Sequence, residues 1–213
     1  MAGVIGATSG KFVLVGAALL LHGRIDGNDI RLAIMPGTPT SAITPELADR
    51  VKVRSNKPDV SIHIRSESFR AEITGIEANP APDAQVRLGQ DVLAGNPIEF
   101  DFARREALPL SSSEARYLER RSRPITIHHE ADGSLSVELE QNGQGMERAR
   151  LDLSLPMGVS VLRPSSLSTI KIGNIELLKV DVSQGSESVV GLYAFKHVRV
   201  IFDLSNNRIW VRP

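Results

Sequence analysis

The sequence contains no cysteine, which excludes disulfide bonds and thiolate metal sites and leaves the redox compartment open. Aromatic residues make up only 4% of the 213 residues, so Val, Ile and Leu must fill any core. The 25 basic and 25 acidic residues cancel, and no basic stripe with interleaved aromatics is present. This balance argues against a nucleic-acid partner.

An apolar run of ten residues, Phe12 to Leu21 (FVLVGAALLL), follows Lys11. It is too short to cross a bilayer, which takes about 20 residues, so we expect no membrane span. Its length suits the core of a signal peptide, but no Ala-x-Ala-like cleavage site follows it. We interpret the run as a buried strand, with a targeting remnant as the alternative. The protein is then cytoplasmic on the first interpretation, and periplasmic or secreted on the second.

Short runs rich in Val, Ile and Thr, separated by turns, make up most of the chain, as in VSIHI (60–64), SLSVELE (134–140) and VRVIFDL (198–204). This pattern predicts an all-β fold with short helices. One helix is expected to start with a Thr44 cap and a first-turn proline, and to run to about Val51.

The segment 107–123 carries a Ser triplet and several arginines without β alternation. We interpret it as a linker with room for one helical turn. It separates an N-terminal lobe (1–106) from a C-terminal lobe (124–213).

The two halves resemble each other, which indicates an internal duplication. LGQDVLAGNPIEFDF (88–102) matches VGLYAFKHVRVIFDL (190–204), with the same spacing from glycine to aspartate in both. MPGTPTSAITPEL (35–47) matches SLPMGVSVLRPSSL (154–167), which aligns Met35 with Ser154.

These segments resemble the retropepsin-like aspartic proteases. In that family each lobe has an apolar strand, then Asp-Thr/Ser-Gly-Ala, and later a Leu-Gly-x-Asp-x-Leu helix followed by a strand ending in Phe-Asp. Residues 22–53, with a hairpin at Gly27-Asn28, are similar to the first pattern, and LGQDVL with EFDF (99–102) to the second. The segment 170–182 resembles a further hairpin of the second lobe. The resemblance implies a closed, barrel-like fold with two similar lobes in one chain.

The catalytic aspartates of that family are replaced, because their positions fall on Met35 and Ser154. Aspartic proteases need two facing carboxylates that share a proton, so that one acts as base and the other as acid. A thioether has no proton to exchange, and a lone serine hydroxyl without a base is not activated. We therefore predict no catalytic residue, no cofactor and an inactive protein.

The resemblance also implies a cleft suited to an extended peptide or a segment of a partner protein. Eight residues are expected at its floor: Met35, Pro36, Gly37, Thr38, Ser154, Leu155, Pro156 and Met157. The duplication supplies both lobes in one molecule, so we expect a monomer, and a dimer stays open.

Five further residues are assigned to the structural motif of the repeat: Gly89, Asp91, Asp101, Gly191 and Asp203. The two aspartates that end strands are expected to accept backbone hydrogen bonds from the following turns. Asp91 is expected to cap the short helix, and its counterpart in the second lobe is Tyr193.

The sequence His128-His129-Glu130 is the nearest approach to a metal motif. Neighbouring side chains of a strand point to opposite faces, so the two histidines should not converge. We predict no metal site.

Two other functions stay open. The chain would be an active aspartic endopeptidase if Asp152 or Asp29 supplied a displaced carboxylate. It would be a purely structural or interaction module if its edge strands or its arginine-rich segment (Arg116, Arg120, Arg121 and Arg123) docked a partner. The hairpin tip at Arg65-Ser66 lacks the glycines that the family has at its mobile tip.

Overall fold

A computed structural model describes residues 10–53, 59–164 and 169–212. The first half contains these elements: β1 (Phe12–Val15), β2 (Ala18–Ile25), β3 (Asn28–Ile34), β4 (Ala42–Ile43), α1 (Pro45–Val51), β5 (Asp59–Ile64), β6 (Glu67–Glu72), β7 (Gly75–Ile76), β8 (Val86–Leu88), α2 (Gln90–Leu93) and β9 (Ile98–Asp101). The middle contains β10 (Glu106–Pro109), α3 (Ser112–Glu119) and β11 (Arg123–Thr126). The second half contains β12 (His128–His129), β13 (Leu135–Gln141), β14 (Gln144–Asp152), β15 (Val159–Val161), β16 (Ile170–Ile172), β17 (Ile175–Leu177), β18 (Val182–Gln184), β19 (Val189–Gly191), a 3₁₀ helix (Leu192–Phe195), β20 (Arg199–Asp203), a 3₁₀ turn (Leu204–Asn206) and β21 (Arg208–Arg212).

Two sheets of eight strands form the two lobes, and their strand orders are the same. The order is β6-β5-β2-β3-β8-β4-β7 in the first and β17-β16-β13-β14-β19-β15-β18 in the second. The additional strands β1 and β12 pair with the corresponding strands β2 and β13. The predicted all-β fold with two similar lobes is therefore confirmed, and every strand of one lobe has a counterpart in the other.

A third sheet joins the lobes, in the order β10-β9-β20-β21-β11. Its central pair, β9 and β20, is antiparallel, with Phe100 opposite Val200. Phe100 is 1% exposed, and its ring centroid lies 5.9 Å from that of Phe202 in the other lobe. Lys11 forms an isolated antiparallel bridge to Glu106 of β10. In the other half, β11 pairs with β21 in the corresponding place. One apolar core therefore runs through this sheet into both lobes.

Tight turns set the register of the hairpins. Asp26 and Gly27 connect β2 to β3 with φ of 43° and 83°, and Asn142 and Gly143 connect β13 to β14 with φ of 55° and 71°. Positive φ at both central positions matches the right-handed twist of the flanking strands, and Asn, Asp and Gly tolerate it best. The predicted hairpin near Gly27 is present, one residue earlier than expected.

Three sequence expectations need correction. The run Phe12 to Leu21 is not one strand, because Gly16 (φ 57°) turns the chain between β1 and β2. The predicted linker 107–123 contains most of β10 and the two-turn helix α3. A capping box of Ser111 and Glu114 supplies hydrogen-bond acceptors to backbone amides at the start of this helix. Helix α1 has the predicted bounds, but the Thr44 hydroxyl makes no capping hydrogen bond.

Within the described residues, no helix is both long and apolar enough to cross a membrane.

Candidate functional site

The two turns that the sequence assigns to the floor of a cleft are in direct contact. A Cβ atom placed on Gly37 would lie 2.2 Å from the Ser154 nitrogen and 2.4 Å from the Leu153 carbonyl carbon. Only a glycine lets the two backbones approach this closely. Gly37 therefore marks a point, outside the joining sheet, where the first lobe meets the second.

The strand register identifies which residues of the two turns correspond. In the first lobe β3 pairs in parallel with β8, with Ile34 opposite Leu88, so Met35 stands beside Gly89. In the second lobe β14 pairs in parallel with β19, with Asp152 opposite Gly191. Because Gly89 and Gly191 occupy the same place in the repeat, the structural counterpart of Met35 is Asp152. The sequence alignment that matched Met35 with Ser154 is wrong by two residues.

The length of the following segment explains one position of this error, and a false match of Ser41 with Ser160 explains the other. Ala42 is the residue opposite Arg87 in the first lobe, and Ser160 is the residue opposite Val189 in the second. From Met35 to Ala42 is seven positions, whereas from Asp152 to Ser160 is eight. The second lobe has one extra residue here, and Ser160 corresponds to Ala42 rather than to Ser41. Spacing alone could not show this insertion.

Asp152 is held by three donors. Its Oδ2 atom lies 2.7 Å from Arg150 Nη1, and its Oδ1 atom accepts hydrogen bonds from the Ser154 hydroxyl (2.5 Å) and amide (3.1 Å). Arg150 also pairs with Glu187 at 2.8 Å. Burial opposes the charge of Asp152, but the bonds from Ser154 and the ion pair with Arg150 outweigh it and lower the pKa of this carboxyl. Asp152 is therefore held as a carboxylate.

Asp152→Asn should make the protein less stable at pH 7 by about 1–2 kcal/mol, because hydrogen bonds to a charged acceptor contribute about that much. The folded pKa lies below the unfolded value of about 3.9, so the contribution is full above that value and is lost as pH falls through the folded pKa. The gap between the two proteins in urea denaturation should therefore narrow as the pH falls below the unfolded pKa of the carboxyl. Asp29→Asn removes an exposed pair with Arg24 and should change stability by less than about 0.5 kcal/mol. An Asp152→Asn effect that does not depend on pH would contradict this account.

Met35 has apolar surroundings. Its side chain packs against a small cluster that contains Ala18, Leu20, Ala33 and Ala81. By the offset that relates Met35 to Asp152, Ala33 corresponds to Arg150. The charged network of the second lobe thus occupies the positions that an aliphatic cluster occupies in the first, and the two halves of the site differ in chemistry although their backbones match.

The motif glycines lie against the floor turns. A Cβ on Gly89 would meet the Thr38 carbonyl oxygen at 2.6 Å, and one on Gly191 would meet the Met157 carbonyl oxygen at 2.4 Å. The same carbonyl oxygens accept hydrogen bonds from backbone amides that follow each glycine. Gln90 N donates to the Thr38 oxygen, and Tyr193 N donates to the Met157 oxygen. Of the floor residues, Ser154 and Pro156 are exposed, Pro36 is buried, and Met35, Gly37, Thr38, Leu155 and Met157 are half-buried.

Asp91 fastens the first floor turn rather than acting mainly as a helix cap. Its carboxylate accepts the Ser41 hydroxyl (2.6 Å) and amide (2.8 Å), and the Ser41 oxygen in turn accepts the Gly89 amide at 2.8 Å. The carboxylate also accepts the Val92 amide in the first turn of α2. Its counterpart Tyr193 instead donates across the lobes to the Gly16 carbonyl at 2.9 Å.

The two strand-end aspartates differ. Asp101 accepts the Arg104 amide at 2.9 Å, as the sequence predicted for a turn. Among the described residues, Asp203 accepts only from side chains, those of Ser205, Asn206 and Trp210. The expectation of backbone hydrogen bonds is thus wrong for Asp203.

Other candidate residues lie away from the floor turns. Asp29 is six residues before Met35 along β3, which is about 20 Å at about 3.3 Å per residue, and so cannot supply a carboxylate there. His129 Nε2 lies 2.6 Å from Asn207 Oδ1, and the described residues contain no group of His, Asp and Glu side chains arranged to hold a metal ion.

The hairpin tip at Arg65-Ser66 joins β5 to β6, which correspond to β16 and β17 of the second lobe. Arg65 reaches Glu106 of the joining sheet at 3.9 Å, so this tip contacts that sheet.

The arginine-rich segment is partly engaged with its own helix. Arg116 and Arg120 donate to the carbonyls of Ser112 and Arg116, and the Arg121 guanidinium lies 4.4 Å from the Tyr117 ring centroid. This arrangement leaves a smaller free basic surface than the sequence suggests.

The floor turns thus place a carboxylate paired with an arginine in the second lobe, and the Met35 thioether at the corresponding position of the first. A search against models of known protein families found no match, and a search of curated proteins found none either.

Proposed function

We propose that this chain is a two-lobed protein of the retropepsin-like aspartic protease type that has lost peptidase activity and acts by holding an extended peptide or a segment of a partner. The observation that carries the proposal is that Met35 and Asp152 occupy corresponding positions in the two lobes. One position of the expected dyad is a thioether, and the other is a carboxylate already paired with Arg150. A dyad works only when one of its two carboxyl groups keeps a proton near working pH.

The lowered pKa of Asp152 supports the same proposal. A general acid must be protonated, and a carboxyl with a lowered pKa is ionised throughout the neutral range. As a general base it would also be weak, because a carboxyl with a lowered pKa has little affinity for a proton. A lone carboxylate in this setting positions the turn and does not transfer protons.

We expect no cleavage of a mixed peptide library from about pH 3 to about pH 8, a span that covers ordinary and raised carboxyl pKa values. The matched variant is Met35→Asp, which places a second carboxylate at the position corresponding to Asp152, with Met35→Leu as its neutral control. Cleavage by the parent protein that a pepstatin-type inhibitor blocks would overturn the proposal in favour of an active endopeptidase. Cleavage by Met35→Asp alone would support both the correspondence and the loss of activity.

Binding is tested separately, because an inactive protein need not bind a peptide. Pro156 is an exposed residue of the second floor turn, and Pro156→Trp would obstruct an occupant there. Ala131→Trp adds the same ring to an exposed site outside the floor turns. Peptides retained by the parent and by Ala131→Trp, but not by Pro156→Trp, would support a peptide-holding site at the floor turns.

A further inference from the structure

The two aspartates that end the central strands of the joining sheet have different partners. Asp101, at the end of β9, lies 2.9 Å from Arg199 Nε and 3.9 Å from Arg104 Nε, and its side chain is only 12% exposed. Its counterpart Asp203, at the end of β20, has only neutral donors: Asn206 at 2.9 Å, Ser205 at 3.2 Å and Trp210 at 3.4 Å. Among the residues that the structure describes, no cation lies within ion-pair distance of Asp203.

The repeat shows which side chains are missing beside Asp203. The offset that relates Asp101 to Asp203 relates Pro97 to Arg199 and Arg104 to Asn206. Arg199 is directly opposite Asp101 in the register of β9 and β20, and the same register, extended by two residues, brings Pro97 opposite Asp203. Two guanidinium groups of one half are thus replaced by a proline and an amide in the other.

A cavity of about 430 Å³ lies where these side chains are missing. Both Pro97 and Asp203 line it, as do Leu93 and Ala94 of the first lobe, Ala115 of α3 and Phe202 of β20. Its volume is in the range of small-molecule sites, which combine apolar walls with a few polar groups that orient the ligand. None of the predicted floor residues contributes to it.

The charge of the lining is negative. Asp203 and Glu119 contribute two carboxylates, and Arg116 contributes one guanidinium whose Nε already donates to the Ser112 carbonyl on its own helix. A carboxylate at the edge of an apolar cavity binds most strongly to a cation that can donate hydrogen bonds.

We infer that this cavity binds a small organic cation, a guanidinium or primary ammonium group on a short apolar chain, with the cationic group against Asp203 and the chain against Leu93, Ala115 and Phe202. The ligand would occupy the place that Arg199 takes beside Asp101 in the other half. This site is independent of the floor turns and of the function proposed for them.

The test is titration of the full chain with n-butylguanidinium, followed by NMR or calorimetry. The matched neutral compound is n-butylurea, which has nearly the same shape without the charge. We expect butylguanidinium to bind in about the millimolar range and butylurea to bind at least about tenfold more weakly, since charge-assisted hydrogen bonds contribute that difference. Equal binding of the two compounds, or no binding of butylguanidinium, would overturn the inference.

Variants locate the site. Asp203→Asn should weaken butylguanidinium binding at least about tenfold, and Pro97→Arg should abolish it by supplying the guanidinium that the other half has. Pro97→Gln changes the backbone in the same way without the charge and should retain binding. If Asp203→Asn fails to fold, the Pro97 pair still decides the outcome, because equal binding by Pro97→Arg and Pro97→Gln contradicts the assignment. Blocked arginine (Nα-acetyl-arginine methylamide) distinguishes the sources: binding as tight as that of butylguanidinium indicates the arginine of a partner, and weaker binding a free cation.

Discussion

Gly37→Ala is expected to destabilise the protein by about 3 kcal/mol or more, the upper range for inserting an atom into a packed site. The added Cβ would lie 2.2 Å from the backbone nitrogen of Ser154 and 2.7 Å from its Cα. A flexible side chain could move away from such a contact, but these atoms belong to a turn fastened by Asp152 and by the β14–β19 pairing. Removing this overlap therefore requires the two floor turns to move apart at the contact between Gly37 and Ser154.

The measurement is the free energy of unfolding from urea denaturation of Gly37→Ala and of Gly95→Ala. A Cβ atom added to Gly95 would meet nothing within 4 Å, and the residue has no positive φ, so its substitution should change stability by less than about 0.5 kcal/mol. Similar values for the two variants would show that the turns do not touch in solution.

Phe100→Ala is expected to cost about 3–5 kcal/mol, the range for removing a buried aromatic ring. Phe100 is 1% exposed at the centre of the joining sheet, and its ring contacts those of Phe102 and Phe202. The free energy of unfolding of a domain is about 5–15 kcal/mol, so the loss is a large part of the total.

The comparison variant is Phe69→Ala, which removes the same ring from a half-buried position on β6. Its effect should be clearly smaller, about 1–2 kcal/mol for a partly buried side chain. We also expect both lobes of Phe100→Ala to unfold in one transition, since the truncated residue lies in the sheet they share. Two separate transitions in the parent protein would contradict a shared core.

Much of the architecture could be predicted from local patterns. The strands are short Val- and Ile-rich runs, and the repeat of Gly89 and Asp101 in Gly191 and Asp203 indicated two copies of one unit. The identical strand orders of the two large sheets confirm that interpretation. Such features are readable because they depend on residues close together in the sequence.

The residue of the second lobe that corresponds to Met35 could not be found in the same way. Register depends on which residues stand opposite each other on neighbouring strands, and Asp152 is identified by its place beside Gly191, 39 positions away. The sequence alignment was wrong by two residues because the second lobe has one extra residue before Ser160, and because Ser160 matched the hydroxyl of Ser41 instead of Ala42. Sequence spacing therefore favoured Ser154.

The strand and the two-turn helix within residues 107–123 were missed for a related reason. The strand β10 begins at Glu106 and continues through Ala107, and it forms only because β9 lies beside it. Four residues with one charge and one proline have little β preference of their own, so neighbouring structure decides their conformation. The capping box at Ser111 and Glu114 was the one local signal that could have revealed α3.

The joining sheet also affects how the chain can fold during synthesis. Strand β9 leaves the ribosome about a hundred residues before β20 and β21, so one of its edges has no partner while the second half is being made. An open edge invites pairing with another nascent chain. Glu99 and Asp101 place two carboxylates on this strand, and their closest cations, Arg212 and Arg199, come from β21 and β20, whereas Arg104 beside Asp101 stands off at 3.9 Å. Until those arrive, charge repulsion would keep two unfinished copies apart, and afterwards the same carboxylates help to hold the finished sheet together.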